Sequence, residues 1–281
     1  MKRLGLVMAL SISFLLVGCD DHPPTSEIYE QAIEVTDQLE SVKFQRNQTM
    51  RAQQDSFRGQ MNGAVVYEPL EFYGSMEMNL LNLNEALQLE SYVNDSEWLV
   101  RQNQQEAEWE EYDRTEFQDT LLEHPSLMLE WFEPYQDQFL MKETAISPFQ
   151  EQEDESTEGE NGEEVDAETE EVEVEKIDVY EISFRGADEQ YKPLVQTHIE
   201  QMGLVNRSSV NLDDVMETVE IERIDMTVFV DKETYDVHRL QTRFRYLVYI
   251  EGEYRVIDES LLLRFDQHNE PIDFDELKNE E

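Results

Sequence analysis

Glu71-Phe72-Tyr73-Gly74-Ser75-Met76-Glu77-Met78-Asn79-Leu80 is the run whose reading decides the fold. Phe72, Met76, Met78 and Leu80 share one face of an extended chain, and Glu71, Ser75, Glu77 and Asn79 share the other. A period of two separates a buried face from a wet one, as in a half-covered β-strand. The same alternation extends outward on both sides. It holds for Val42, Phe44, Arg46, Gln48 and Met50, and for Phe57, Gly59, Met61, Gly63, Val65 and Tyr67. Downstream it continues through Leu87, Leu89 and Val93, then Trp98 and Val100, then Trp109 and Tyr112. Polar breaks such as Asn94-Asp95-Ser96 suit tight turns, so the stretch predicts about six antiparallel strands.

Helical spacing flanks this block. Ser26 is the expected N-cap of a helix through about Glu40, built on Ile28, Ala32, Ile33, Val35 and Leu39. From Phe117, the positions Leu121, Leu122, Leu127, Met128, Trp131, Phe132, Tyr135, Phe139 and Leu140 predict one or two further helices. Pro125 and Pro134 mark their starts or kinks. Residues 150–175 are almost wholly acidic and are expected to be a disordered insertion with nothing to bury. Ile177, Val179, Ile182 and Phe184 then predict a strand, and Asp188 to Met202 a helix. Three strands follow, Thr218 to Val230, Val237 to Ile250 and Tyr254 to Phe265, the first two joined by a turn at Asp231–Asp236. The phase of the last strand changes near Ser260, which predicts a bulge there. Because alternation resumes beyond the helices, one continuous sheet in a single domain, 26–281, is expected. The class is α+β.

The N-terminus speaks to location. Lys2 and Arg3 precede an apolar run, Leu4 to Val17, that is shorter than the roughly 20 residues of a spanning helix. It ends in Leu16-Val17-Gly18-Cys19, which resembles the bacterial lipobox. That resemblance implies a signal peptide at 1–18, a lipid on Cys19 and a tether at 19–25. The protein would then sit lipid-anchored at the extracytoplasmic face of the cell membrane. An ordinary signal with an incidental cysteine is the alternative. Cys19 is the only cysteine in the chain, so no disulfide supports the fold.

Composition excludes some partners. With 66 acidic against 21 basic residues the formal charge is −45. Such a surface repels phosphate backbones and anionic lipid headgroups, so neither nucleic acid nor a peripheral electrostatic membrane contact is expected. Catalysis has no motif behind it. His22, His124, His198, His238 and His268 show no metal-ligand spacing, and there is no nucleophile elbow or phosphate loop. No enzymatic activity, metal or cofactor is expected.

The element order resembles the LolA and LppX type of lipoprotein fold. More specific text resembles an uncharacterised family of Gram-positive LolA-like surface lipoproteins. It comprises Glu27-Ile28-Tyr29-Glu30-Gln31-Ala32 leading into Leu39-Glu40-Ser41-Val42, and Met76-Glu77-Met78 before Trp98, Trp109 and Tyr112. Asp231-Lys232-Glu233-Thr234-Tyr235 before Leu240 completes it. The resemblance implies a strongly curved antiparallel sheet, an unclosed β-barrel, with helices packed on its concave side. It also implies a cavity for an apolar, lipid-like ligand.

Alternation assigns one side of each strand to that cavity. The first strands contribute Phe44, Met50, Met61, Phe72, Met76, Met78 and Leu89. The later ones contribute Tyr180, Ile182, Met226, Val228, Phe244 and Tyr246. The flexible, polarisable thioethers of methionine suit a cavity that accepts varied shapes. The same pattern equally suits a closed core packed against the helices. A second functional class, an envelope protein-interaction or sensing module without a small ligand, also fits the sequence.

Overall fold

The computed structural model describes residues 23–52, 55–80, 86–102, 107–116, 124–148, 176–202, 211–250 and 252–279. The signal segment, Cys19, most of the tether, Leu121, Leu122 and the acidic insertion lie outside the described residues.

Helix α1 (Thr25–Asp37) leads into six strands: β1 (Ser41–Ala52), β2 (Asp55–Val66), β3 (Glu71–Leu80), β4 (Leu87–Val93), β5 (Trp98–Gln102) and β6 (Glu110–Tyr112). Helix α2 (Pro125–Glu130), β7 (Leu140–Ile146), β8 (Ile177–Gly186), α3 (Lys192–Gln201) and α4 (Leu212–Glu217) follow. The chain closes with β9 (Glu220–Asp231), β10 (Val237–Ile250), β11 (Glu253–Asp266) and α5 (Phe274–Asn279).

The strands form one sheet of eleven in the order β6-β5-β4-β3-β2-β1-β11-β10-β9-β8-β7. It is antiparallel throughout and strongly curved, and it does not close, because β6 and β7 lie at opposite edges. Its two halves are joined by the pairing of β1 with β11, continuous from Lys43 opposite Asp266 to Ala52 opposite Ile257. At the turn from β9 to β10, Asp231 Oδ1 accepts the backbone N–H groups of Glu233 at 2.7 Å and Thr234 at 3.0 Å. Tyr235 takes the left-handed φ of 64° that finishes this turn.

One core holds the inner face of the sheet and the helices together. Phe72 and Val93 on one wing, Tyr180 and Ile182 on the other, and Tyr29, Leu129 and Ile199 from the helices all belong to it. Phe132, fully buried beyond α2, lies 5.7 Å from the ring of Phe184 on β8 and 6.3 Å from Phe244 on β10. The Tyr29 hydroxyl donates to the Leu129 carbonyl at 2.7 Å, fixing α1 to α2. On the outer face, α5 seats Phe274 against Ala64 and Tyr92, with the Lys278 ammonium 4.0 Å from the Tyr92 ring.

Several local expectations need correction. The helix expected through Phe139 and Leu140 stops earlier: α2 has six residues, and Pro134 opens a 3₁₀ segment, Glu133–Gln138. Leu140 instead begins edge strand β7, 74% exposed, so its apolar side chain is no sign of a buried helix face. Ser26 does not cap α1; the cap position is Pro24, with no side-chain hydrogen bond. The bulge near Ser260 is absent, since β11 pairs without interruption with β1 and β10. The phase never changes: Glu259 lies on the buried face between Ile257 and Leu261. The irregularities fall between β9 and β10, at Val237/Arg239 and Arg245/Tyr246. Helices α4 and α5 had no counterpart in the sequence reading.

Because Phe132 bridges the helical layer to two strands, Phe132→Ala should destabilise the domain by about 3–5 kcal/mol. Urea unfolding followed by tryptophan fluorescence measures this, and a loss below about 1 kcal/mol would show that the site collapses without a cavity.

Candidate functional site

Between the inner sheet face and the helices lies a cavity of about 160 Å³. Its floor comes from β1, β10 and β11, and its roof from α2 and α3. Phe44, Val65, Met128, Trp131, Leu263 and Phe265 give it apolar walls. The volume is comparable to the roughly 150 Å³ engineered cavities that stay dry and take up benzene. It is smaller than the roughly 300 Å³ at which pockets for drug-sized ligands begin. The space therefore suits a short hydrocarbon segment rather than a whole lipid.

One end of the cavity is charged. His198, on α3, places Nε2 at 2.6 Å from Glu259 Oε2 and Nδ1 at 3.2 Å from the Tyr246 hydroxyl. Facing a carboxylate, Nε2 carries the proton. The imidazole stacks on Phe244, with centroids 4.1 Å apart and planes 11° from parallel. Gln48 Nε2 donates to the other oxygen of Glu259 at 2.6 Å, and Arg46 Nη2 donates to Gln48 Oε1 at 3.3 Å. Both oxygens of Glu259 and both nitrogens of His198 are therefore engaged.

Burial pushes the Glu259 carboxyl up, but the charge and hydrogen bond of His198, the Gln48 amide and the Arg46 charge outweigh it. The net result holds Glu259 below its usual value. Burial, and then the Glu259 charge, push the Tyr246 hydroxyl well above the ordinary tyrosine value. The cluster thus contains an ionised carboxylate and a neutral phenol, fixed by helix α3 from one side and by β1, β10 and β11 from the other.

Of the residues expected to line a cavity, Phe44 and Phe244 do so. Met61, Phe72, Tyr180, Ile182, Met226, Val228 and Tyr246 are buried in the closed core instead. Met76 packs against that core, while Met50, Met78 and Leu89 are half-buried toward the far ends of their strands. Among the described residues, helix side chains fill most of the concavity, and the cavity lies where the floor becomes polar.

Arg46, Gln48, His198 and Glu259, and the roof residues Met128 and Trp131, line the cavity although none of them was expected there. A signal was present. Arg46 and Gln48 share the phase of Val42, Phe44 and Met50, and Glu259 shares that of Ile257 and Leu261. Polar residues in phase with an apolar face mark a place where the core is not hydrocarbon.

Residues 130–274, just over half of the chain, match the model of DUF6612, a family of unknown function, and the chain belongs to that family. No curated protein matches. Among solved structures the chain is similar to the Mycobacterium tuberculosis lipoprotein LppX, at 11% identity and a TM-score of 0.40. That alignment covers 89% of this chain and 97% of LppX. LprF from Mycobacterium bovis aligns at 9% identity and a TM-score of 0.43, over 90% of this chain and 96% of LprF. A LolA superfamily protein from Nitrosomonas europaea gives 9% identity and 0.24, over 92% of this chain and 99% of that one. At TM-scores below 0.5 these likenesses carry no argument about ligand, location or lineage. The fold class rests on the eleven-stranded sheet itself.

The buried pair makes a prediction about pH. Since folding lowers the Glu259 value, its stabilising contribution is complete above the unfolded carboxylate range and disappears as pH falls through the folded value. Glu259→Gln should cost about 1.5–3 kcal/mol at neutral pH, the scale of a buried hydrogen bond to a charged group. The gap to wild type should narrow on acidification in urea titrations at several pH values. A gap independent of pH would mean that Glu259 is not ionised in the fold.

Proposed function

We propose that this chain is a non-enzymatic, membrane-anchored extracytoplasmic lipoprotein that holds the apolar end of a lipid-like molecule in the cavity beneath α2 and α3. The observation that carries this reading is the apolar-walled space of about 160 Å³ between sheet and helices, in a chain whose N-terminus has the layout of a lipoprotein signal. A lipid on Cys19 would keep the domain beside a reservoir of such molecules, and two or more acyl chains give stable attachment.

The cavity admits a short hydrocarbon segment, with the rest of the ligand outside it. Arg46, Gln48, His198 and Glu259 satisfy one another at the end of the space, so the ligand meets its apolar walls.

Native mass spectrometry of protein extracted from membranes should show a retained apolar molecule. Met128→Trp, which pushes an indole into the cavity from α2, should abolish that retention while the melting temperature holds or rises. Wild-type protein that retains nothing and also fails to take up a fluorescent fatty acid would overturn the reading.

A further inference from the structure

The outer face of the sheet holds a second feature, independent of the cavity. Most cations there are neutralised. Arg185 and Arg223 both pair with Asp225, Arg243 pairs with Asp258 at 2.9 Å, and Arg245 pairs with Glu222 at 2.5 Å. Arg239 on β10 and Arg264 on β11 differ. They stand directly opposite each other across the strand pair. Like charges in that position repel, which opposes sheet formation.

Among the described residues no carboxylate pairs with either arginine. Arg264 Nη1 donates to Gln45 Oε1 at 2.6 Å, and Arg239 lies over the Phe229 ring at 5.2 Å. Both Nε atoms are covered and have no hydrogen-bond acceptor. Burial and the neighbouring charge of Arg264 push the Arg239 guanidinium down. Glu181, in the same cross-strand row beyond Phe229, is occupied by Lys142 at 2.9 Å. Asp266, two positions along β11, stands opposite Lys43 on β1. Among the described residues these two facing guanidinium groups meet no carboxylate, so their donors can take an anion.

The neighbouring surface indicates what such an anion is attached to. Two residues along the same strands, Gln241 and Leu262 lie in the floor of an open groove of about 780 Å³ across β8, β9, β10, β11 and β1. Thr227, Asn47 and Ser260 line it beside the paired Arg185, Arg223, Asp225 and Arg243. The groove, which Arg239 and Arg264 adjoin rather than line, therefore mixes hydroxyl and amide groups with neutralised charges. We propose that Arg239 and Arg264 together bind the phosphoryl group of a hydroxyl-bearing phosphate ester, whose remainder lies in this groove. A tetrahedral phosphoryl group has enough oxygens to accept from both guanidinium groups at once and relieves their repulsion. The same chemistry is offered by a free phosphate ester and by a glycerophosphate lipid headgroup.

The test uses the full chain carrying Cys19→Ser, so that no acyl anchor contributes. Glycerol 3-phosphate titrated against ¹⁵N-labelled protein at constant ionic strength should shift the Nε–H resonances of Arg239 and Arg264 saturably. Arg239→Gln and Arg264→Gln should each weaken binding at least tenfold, and Arg245→Gln should not. Loss of the repulsion should leave both variants folded with an unchanged or raised melting temperature, and Met128→Trp should bind as wild type does.

Co-sedimentation with phosphatidylglycerol vesicles, set against phosphatidylcholine vesicles, separates the two sources. Capture reversed by glycerol 3-phosphate identifies a headgroup, and saturable binding in solution without capture identifies a free ester. The proposal is overturned if neither glycerol 3-phosphate nor phosphatidylglycerol vesicles move the two resonances. It is also overturned if Arg245→Gln weakens binding as much as the paired variants do.

Discussion

A sheet of eleven strands with one apolar face has more surface to cover than its helices can supply, and that mismatch governs the rest of the structure. The helices packed on the inner face are short, the longest being the thirteen residues of α1. A flat sheet would leave much of that face in water. Curving the two wings toward the same small group of helices lets Phe72 and Val93 from one side, and Tyr180 and Ile182 from the other, share one core. With no disulfide to assist, this burial is what closes the fold.

Concentrating the helices at the centre of the concavity also determines where space remains. The rings of Phe132, Phe139, Phe184 and Tyr191 interlock edge to face and leave little free volume on the β8 side. Toward β1 and β11, the inward positions hold Arg46, Gln48 and Glu259, whose polar groups need hydrogen-bond partners rather than hydrocarbon. The His198–Glu259 pair attaches α3 there through hydrogen bonds, and the cavity lies beside it. A buried carboxylate carries a desolvation cost that its hydrogen bonds must offset, so it adds less stability than hydrocarbon of equal volume. Its effect is to fix the position of α3 over the sheet.

Much of the architecture was legible in the chain. Alternation around Glu71–Leu80 and through Val237–Ile250 survives because each strand has one wet face, so period two is written residue by residue. Leu140 misled because an apolar residue on an exposed edge strand looks the same in sequence as one on a helix face. Glu259 misled in the opposite direction, since a carboxylate in phase with Ile257 and Leu261 imitates a bulge when it is in truth buried. The candidate site was less legible than the fold. Phe44 and Phe244 line the cavity while Ile182 and Met226, with equally apolar surroundings in sequence, are packed solid. Nothing local distinguishes them.

By itself the sequence determined the strands, their faces, the acidic character and the signal-like N-terminus, because each depends on neighbours along the chain. The tertiary structure alone decided that β1 meets β11, that Arg239 faces Arg264, and that His198 reaches Glu259 across 61 residues. It alone decided which part of the apolar face stays open. Those outcomes depend on how far the sheet curves and which helix reaches which strand. They are fixed only when the whole apolar face is buried at once.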